Sequence, residues 1–151
     1  MIDYHFVEPP GLHFVKGREP FRLNALLEIG TSILGRPGPE GELSRPLLWD
    51  MREVDLLKVE TGELKAMIRK REEFGAAHAN GLMAIVVGDL GSFGMMRMYI
   101  ALAEIGRLRN EDRFHLGYDM GEALRWLDRM MGLDAADAEY LFSKVTGLST
   151  G

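Results

Sequence analysis

The sequence predicts one α/β domain with a mainly parallel sheet, and three observations lead to this prediction. The 151-residue chain has the size of an ordinary domain, and 46% of it is apolar, which is enough for one core. From residue 47 onward, strand-like apolar runs alternate with segments of helical periodicity. Such alternation implies parallel strands joined by right-handed crossovers. A turn-rich N-terminal stretch adds an antiparallel hairpin.

The hairpin is predicted from two short β-prone runs, residues 2–7 and 12–16. Between them lies Glu-Pro-Pro-Gly, in which proline fixes φ and glycine accepts positive φ, so the stretch is typical of a turn. Pro20 then opens a helix, since its missing N–H costs nothing in the first turn. Leucine and isoleucine recur at helical spacing up to Leu34, and the glycine- and proline-rich residues 35–41 end this helix.

Three more strands and two more helices follow. Residues 47–51 predict a central strand, and an apolar face over residues 64–71 predicts the next helix. Residues 83–87 are apolar throughout, as in a strand covered on both faces. The helix expected at residues 92–105 is apolar almost all round and should therefore be largely buried. Residues 113–118 alternate polar and apolar side chains, which indicates a strand near an edge.

Two C-terminal helices complete the predicted domain. Asp119 with Glu122 three residues later forms a capping box at the start of the first. A last short helix is expected to end near Lys144. The single domain is therefore predicted to span residues 1–145, with residues 146–151 as a frayed tail.

Composition and charge exclude several classes of function. The net charge of −5 argues against a nucleic-acid partner, which usually requires a clustered basic face. Without cysteine the chain has no disulfides, no thiolate catalysis and no cysteine-ligated metal. No signal peptide is recognisable, and no apolar run reaches the roughly 20 residues needed to cross a bilayer. The protein is expected to be cytoplasmic, with no membrane span.

The search for catalytic or metal-binding groups yields weak candidates. His5 and His13 are expected to face each other across the hairpin, where a carboxylate could complete a metal site; ordinary surface histidines are the favoured alternative. The other two histidines are His78 and His115, and no two histidines have the i, i+4 spacing of a helical zinc motif. No metal or cofactor is predicted. An enzyme ranks below the other hypotheses, because no nucleophile can be paired with a base.

Carboxylates around the end of the strand at Trp49 form a second weak candidate. Asp50, Asp55 and Glu60 could act as acid and base or bind magnesium. The alternative is a solvated loop followed by a helix start that favours acidic residues.

The glycine-rich stretch at residues 88–94 is the most suggestive candidate ligand site. It follows a strand and opens a helix, at the edge of a parallel sheet where ligands tend to bind. Its glycine pattern matches neither the dinucleotide fingerprint nor the P-loop, and Asp89 would repel a phosphate. The alternative is a tight turn with close helix packing and Ser92 as N-cap. The candidate ligand-binding residues are Gly91, Ser92, Phe93, Gly94 and Arg97.

Residues 48–57 form an apolar strand-like run with an aspartate at its end and a loop after it, residues 60–64 form a helix start, and residues 93–99 and 122–127 form two further helical segments. These four segments, in this order, resemble the SpoIIAA-like proteins of the STAS family, in its uncharacterised bacterial branch. The resemblance covers about residues 45–131 and implies a non-enzymatic regulatory module.

The resemblance also implies where regulation would take place. In anti-anti-sigma members, a serine at a helix start is phosphorylated, and the phosphate blocks partner binding. Here Glu60, Thr61 and Gly62 occupy that position, so the chain departs from the serine pattern, and Thr61 is also an ordinary N-cap residue. With Asp55 they form the candidate partner-binding or regulatory residues.

Two hypotheses of function follow. The first is a protein-interaction module that binds a protein partner or itself near Glu60, Thr61 and the glycine loop. The second is a carrier of a small apolar molecule or lipid, held between the sheet and the methionine-rich helix at residues 92–105.

Overall fold

The computed structural model describes residues 1–73, 81–105 and 110–150. The strands are β1 (Ile2–Val7), β2 (Leu12–Arg18), β3 (Leu47–Glu53), β4 (Met83–Val87) and β5 (Phe114–Gly117). The α-helices are α1 (Leu23–Leu34), α2 (Thr61–Glu72), α3 (Leu90–Ile105), α4 (Met120–Met131) and α5 (Ala135–Thr150). Short 3-10 turns lie at Gly38–Gly41, Leu56–Lys58 and Glu111–Arg113.

The five strands form one sheet in the order β1-β2-β3-β4-β5. β1 pairs with β2 antiparallel, and the other neighbouring strands are parallel. The predicted α/β fold with an N-terminal hairpin is therefore confirmed. Each parallel strand lies beside the one before it, so the strand order never reverses direction.

Each face of the sheet carries its own apolar core. On one face, side chains such as Trp49 and Ile85 pack against residues of α1, α2 and α3. On the other face, side chains such as Leu48 and Val86 pack against α4 and α5. All five residues of β4 are buried, as its continuous apolar run predicts.

The prediction that the helix at residues 92–105 is largely buried is wrong. Only one face of α3 is buried, formed by Ser92, Met96, Tyr99, Ile100 and Ala103. Its opposite side is exposed and includes Leu90, Arg97 and Ile105. The helix lies on the surface of the sheet, and its partly buried side chains Phe93, Met95, Met98 and Leu102 also pack against the core, while Leu90 and Ile105 are exposed.

His5 and His13 do not face each other across the hairpin. His5 pairs with Phe14 and His13 with Phe6, and residues at such positions point to opposite faces of the sheet. His13 Nε2 lies 2.8 Å from the Glu42 carbonyl oxygen, and its Nδ1 lies 2.8 Å from the Tyr4 hydroxyl. Because a carbonyl only accepts, Nε2 donates and Nδ1 accepts from Tyr4. His78 lies outside the described residues, within which no histidine and carboxylate cluster could hold a metal.

The C-terminal helix is longer than the sequence predicts. α5 continues to Thr150 instead of ending near Lys144, so residues 146–150, predicted as a frayed tail, form its last turns. Val145 and Ser149 are buried there. Among the described helices, none combines the length and apolar character needed to cross a membrane.

Candidate interaction surface at the carboxyl edge of the sheet

An aspartate follows each of the last three strands at the carboxyl edge of the sheet. Asp55 follows β3, Asp89 follows β4 and Asp119 follows β5. Each carboxylate accepts a backbone N–H at the start of the next helical segment, as aspartate does at an N-cap. The bonds are Leu57 N to Asp55 Oδ1 at 3.1 Å, Ser92 N to Asp89 Oδ1 at 2.8 Å and Gly121 N to Asp119 Oδ1 at 2.8 Å. The parallel strands thus deliver three negative charges to one edge.

Ser92 is buried and holds two loops together. Its Oγ accepts a hydrogen bond from the backbone N–H of Leu56 at 3.1 Å, and Asp89 Oδ2 lies 3.3 Å from the same Oγ. Asp89, not Ser92, is the residue that caps α3. The N–H of Ser92 in the first turn of α3 therefore already has a negatively charged partner, which disfavours an anionic ligand at the glycine loop.

Close approach of neighbouring chain segments explains two of the glycines in the stretch 88–94. A Cβ at Gly88 would collide with the backbone oxygen of Arg52, and a Cβ at Gly91 would lie 2.5 Å from Leu57 Cδ1. Leu57 therefore lies directly over the first turn of α3. Gly94, by contrast, is exposed and has open space around it.

Large apolar side chains are exposed together where α3 begins. Leu57 is 63% exposed, Leu90 is 78% exposed and Tyr118 is 48% exposed. The partly exposed ring of Phe93 stacks on Tyr118, with centroids 5.2 Å apart and an interplanar angle of 20°. We call Leu57, Leu90, Phe93 and Tyr118 the carboxyl-edge patch. Exposed apolar groups that gather in this way are typical of interaction sites.

Acidic residues surround this patch. Asp55, Asp89 and Asp119 are exposed and lie within two residues of Leu57, Leu90 and Tyr118. We call these three aspartates, together with the exposed Glu60, the acidic rim. Lys58 is an exposed cation within the same segment, and the partly exposed Arg52 lies close enough to Asp119 to interact with it electrostatically.

The predicted regulatory residues lie together beside the patch. Glu60 precedes α2 and makes no capping hydrogen bond with its side chain. Thr61 and Gly62 form the exposed first turn, and a Cβ at Gly62 would meet open space. Their exposure makes Glu60 and Thr61 accessible to a partner.

A surface groove of about 340 Å³ extends from this segment towards α1. Asp55, Lys58 and Glu63 line one side and Glu19 and Phe21 the other. The Glu19 carboxylate accepts the N–H of Asp55 at 3.0 Å and that of Phe21 at 3.3 Å. The bond from Asp55 is the main reason that the pKa of Glu19 lies below its usual value. These hydrogen bonds join the loop before α1 to the segment that follows β3.

The remaining predicted ligand-binding residue, Arg97, is exposed. Its Nη1 lies 3.8 Å from Glu111 Oε1, and such surface pairs contribute little to stability. On the sheet side of α3, Tyr99 packs between aromatic rings, 5.8 Å from Trp49 and 6.2 Å from Phe114 between centroids. The sequence predicts an apolar pocket between the sheet and this helix. Around Tyr99 that space is filled by the aromatic side chains of Trp49 and Phe114.

A buried ion pair, which the sequence reasoning missed, lies on the α4 side of the sheet. Lys16 and Asp50 are directly paired in β2 and β3, and Lys16 Nζ lies 3.2 Å from Asp50 Oδ2. Asp50 also accepts from Arg52 Nε and Nη2, both at 2.9 Å, while Lys16 contacts Glu53 Oε2 at 2.6 Å. Burial raises the pKa of Asp50, but the hydrogen bond and charge of Arg52 and the charge of Lys16 outweigh burial and hold that pKa below its usual value.

This network occupies Asp50 fully, so the carboxylate is not available as a magnesium ligand or catalytic base. Both of its oxygens accept two hydrogen bonds each. The sequence signal for this pair is a lysine, Lys16, in one apolar strand-like run and an aspartate, Asp50, in the next.

No protein-family model, no curated protein and no solved structure matches this chain. The resemblance to SpoIIAA-like proteins stays a prediction, and the function has to be argued from the residues themselves.

Proposed function

We propose that this protein is a non-enzymatic interaction module that binds a protein partner at the carboxyl-edge patch. The observation that carries the proposal is the exposure of Leu57, Leu90 and Tyr118 together, inside the acidic rim. Apolar patches with polar borders are typical of protein-binding surfaces. The resemblance to SpoIIAA-like proteins supports the same class of function.

The topology of the sheet also supports a macromolecular partner over a small ligand. In open α/β sheets, small ligands bind in the crevice where the strand order reverses. The order β1-β2-β3-β4-β5 has no reversal, so this crevice is not formed among these strands. Asp89 and Asp119 further accept an N–H at the starts of α3 and α4, where a phosphate would otherwise be attracted.

Charge complementarity indicates the chemistry of the partner. Four carboxylates surround an apolar centre, so the fitting surface has apolar side chains flanked by lysine and arginine. A basic amphipathic helix presents both groups on one side. Leu57 and Leu90 would contact its apolar stripe, and the acidic rim would contact its cations.

The test replaces patch leucines by aspartate. Leu57→Asp and Leu90→Asp each place a charge in the patch and should abolish capture of the partner from host lysate, because a buried unpaired charge is unfavourable in an interface. The matched control is Leu34→Asp, which changes an exposed leucine at the far end of α1. The proposal predicts a protein retained by the wild type and the control and lost by both patch variants.

The identity of the captured protein decides the chemistry of the partner. The contacting segment, mapped by crosslinking, should be apolar with flanking basic residues. If every captured complex survives both patch substitutions, or the contacting segment is acidic, the proposed docking surface is wrong.

A further inference from the structure

Arg71 is a buried cation without a polar partner among the described residues. It lies in the last turn of α2, and its side chain is only 5% exposed. Its guanidinium carbon lies 5.1 Å from the centre of the Trp49 ring. Its Nε is fully buried and makes no hydrogen bond, and Arg71 is absent from the ion pairs of the described chain.

Arg71 borders a small chamber between α1 and the sheet. The chamber has a volume of about 20 Å³. Apart from Arg71 its lining is apolar and includes Leu26, Ile33, Leu47 and Trp49. Leu47 is the first residue of β3, so the chamber lies at the amino edge of the sheet, opposite the carboxyl-edge patch.

The size of the chamber limits what it can hold. Pockets for organic ligands usually measure roughly 300–1,000 Å³, so this chamber has room only for a species about as large as one water molecule. A buried water needs two to four polar partners, and the lining side chains offer the guanidinium and little else. A water would also leave the positive charge uncompensated, which is costly in an apolar interior.

We propose that this chamber is a binding site for a monatomic anion, chloride in the cell. The anion would accept hydrogen bonds from the Arg71 guanidinium and contact the apolar side chains that line the rest of the chamber. It neutralises the buried charge and ties α2 to α1 and β3. This site is independent of the proposed docking function, since it lies at the opposite edge of the sheet and uses other residues.

The test uses bromide as the probe and Trp49 as the reporter. The chain has two tryptophans, and Trp126→Phe leaves Trp49 alone. Trp49 is 2% exposed, so bromide in free solution has little contact with its ring. The proposal predicts that bromide quenches Trp49 fluorescence saturably and that chloride reverses the quenching by competition.

Two variants connect the quenching to the guanidinium. Arg71→Met should abolish the saturable phase, and the matched control Arg69→Met, an exposed arginine of the same helix, should retain it. Quenching that stays linear in bromide, or a saturable phase that survives Arg71→Met, overturns the proposal.

A second measurement does not depend on the variant. Crystals of the wild type soaked in bromide should show an anomalous peak beside the Arg71 guanidinium, and its absence there overturns the proposal. If Arg71→Met does not fold, this peak and the wild-type titration decide the question.

Discussion

Lys16 and Asp50 are two residues whose charges are removed from water by the pairing of β2 with β3. A buried charge is tolerated when its partners are complete, and here Asp50 has four hydrogen bonds and Lys16 two carboxylates. Removing Asp50 would leave the buried Lys16 with only the exposed carboxylate of Glu53 as a partner among the described residues. The pair should therefore be more sensitive to substitution than the ion pairs at the surface.

We expect Asp50→Asn to lower the free energy of unfolding at pH 7 by about 3 kcal/mol, towards the lower end for breaking a buried pair, because Glu53 still compensates Lys16. Urea denaturation measures this loss. The control is Asp3→Asn, whose partner Arg18 is partly exposed, and it should change stability by less than about 1 kcal/mol.

The same comparison has a defined pH dependence. The pKa of Asp50 is lowered in the folded state, so its contribution is complete above the unfolded pKa of about 4 and is lost as pH falls through the folded pKa. The difference between wild type and Asp50→Asn should be constant from neutral pH to about pH 4 and then shrink. A difference that stays unchanged in strong acid would contradict this role.

Single-residue roles were the hardest to predict because they depend on register. Alternation along each strand puts Lys16 on the face of Phe14, and Asp50 on the face of Leu48. Only the pairing of Lys16 with Asp50 brings the charges together, and register between parallel strands depends on packing beyond either strand. The sequence likewise places Arg71 on an apolar helix face and carries no signal for the chamber beside it.

At the scale of elements, the capping rules predicted some helix starts and missed others: α1 begins at Leu23 and not at Pro20, and α3 begins at Leu90 with Asp89, not Ser92, as its cap. Asp119 caps α4 as its sequence predicts. The end of α5 was missed because threonine and serine favour helices weakly. Burial of Val145 and Ser149 outweighs that preference, and the hydroxyls of Ser149 and Thr150 bond back to the Thr146 carbonyl oxygen.

The two glycines at the ends of the stretch 88–94 should respond oppositely to alanine. Gly88→Ala places a Cβ against the rigid backbone oxygen of Arg52 and should destabilise the protein by about 1–3 kcal/mol. Gly94→Ala meets open space within α3 and should stabilise it by about 1 kcal/mol. Thermal and urea unfolding of both variants test the pair. Destabilisation by Gly94→Ala would show that this position needs glycine for a reason other than packing.

At the scale of the whole molecule, the alternation of strands and helices was sufficient to predict the fold class. The interaction surface could not be predicted in the same way. Leu57, Leu90 and Tyr118 are far apart in sequence, and each lies within or next to a different strand-to-helix connection. They form one patch only because the parallel strands end at the same edge.

The net charge of −5 and the acidic rim should make partner binding depend on ionic strength. Glu60 belongs to the acidic rim, and Glu63 lines the groove beside Asp55. We expect the double variant Glu60→Lys, Glu63→Lys to weaken the complex, with the largest effect at low salt. Surface plasmon resonance with the captured partner measures it. The control Glu28→Lys, Glu139→Lys changes two exposed acids elsewhere by the same total charge. Equal weakening by both would assign the effect to overall charge and remove Glu60 and Glu63 from the interface.

The sequential strand order has a consequence for synthesis on the ribosome. Each strand emerges immediately before the strand it will pair with, and α1, α2 and α3 emerge between successive strands, so the sheet and its first covered face can assemble in the order of translation. The second face has no cover until α4 and α5 have been made. We expect a chain that folds in this order to pass through a stage in which Phe14, Leu48 and Val86 are exposed on an assembled sheet. At that stage we expect it to be most prone to aggregation.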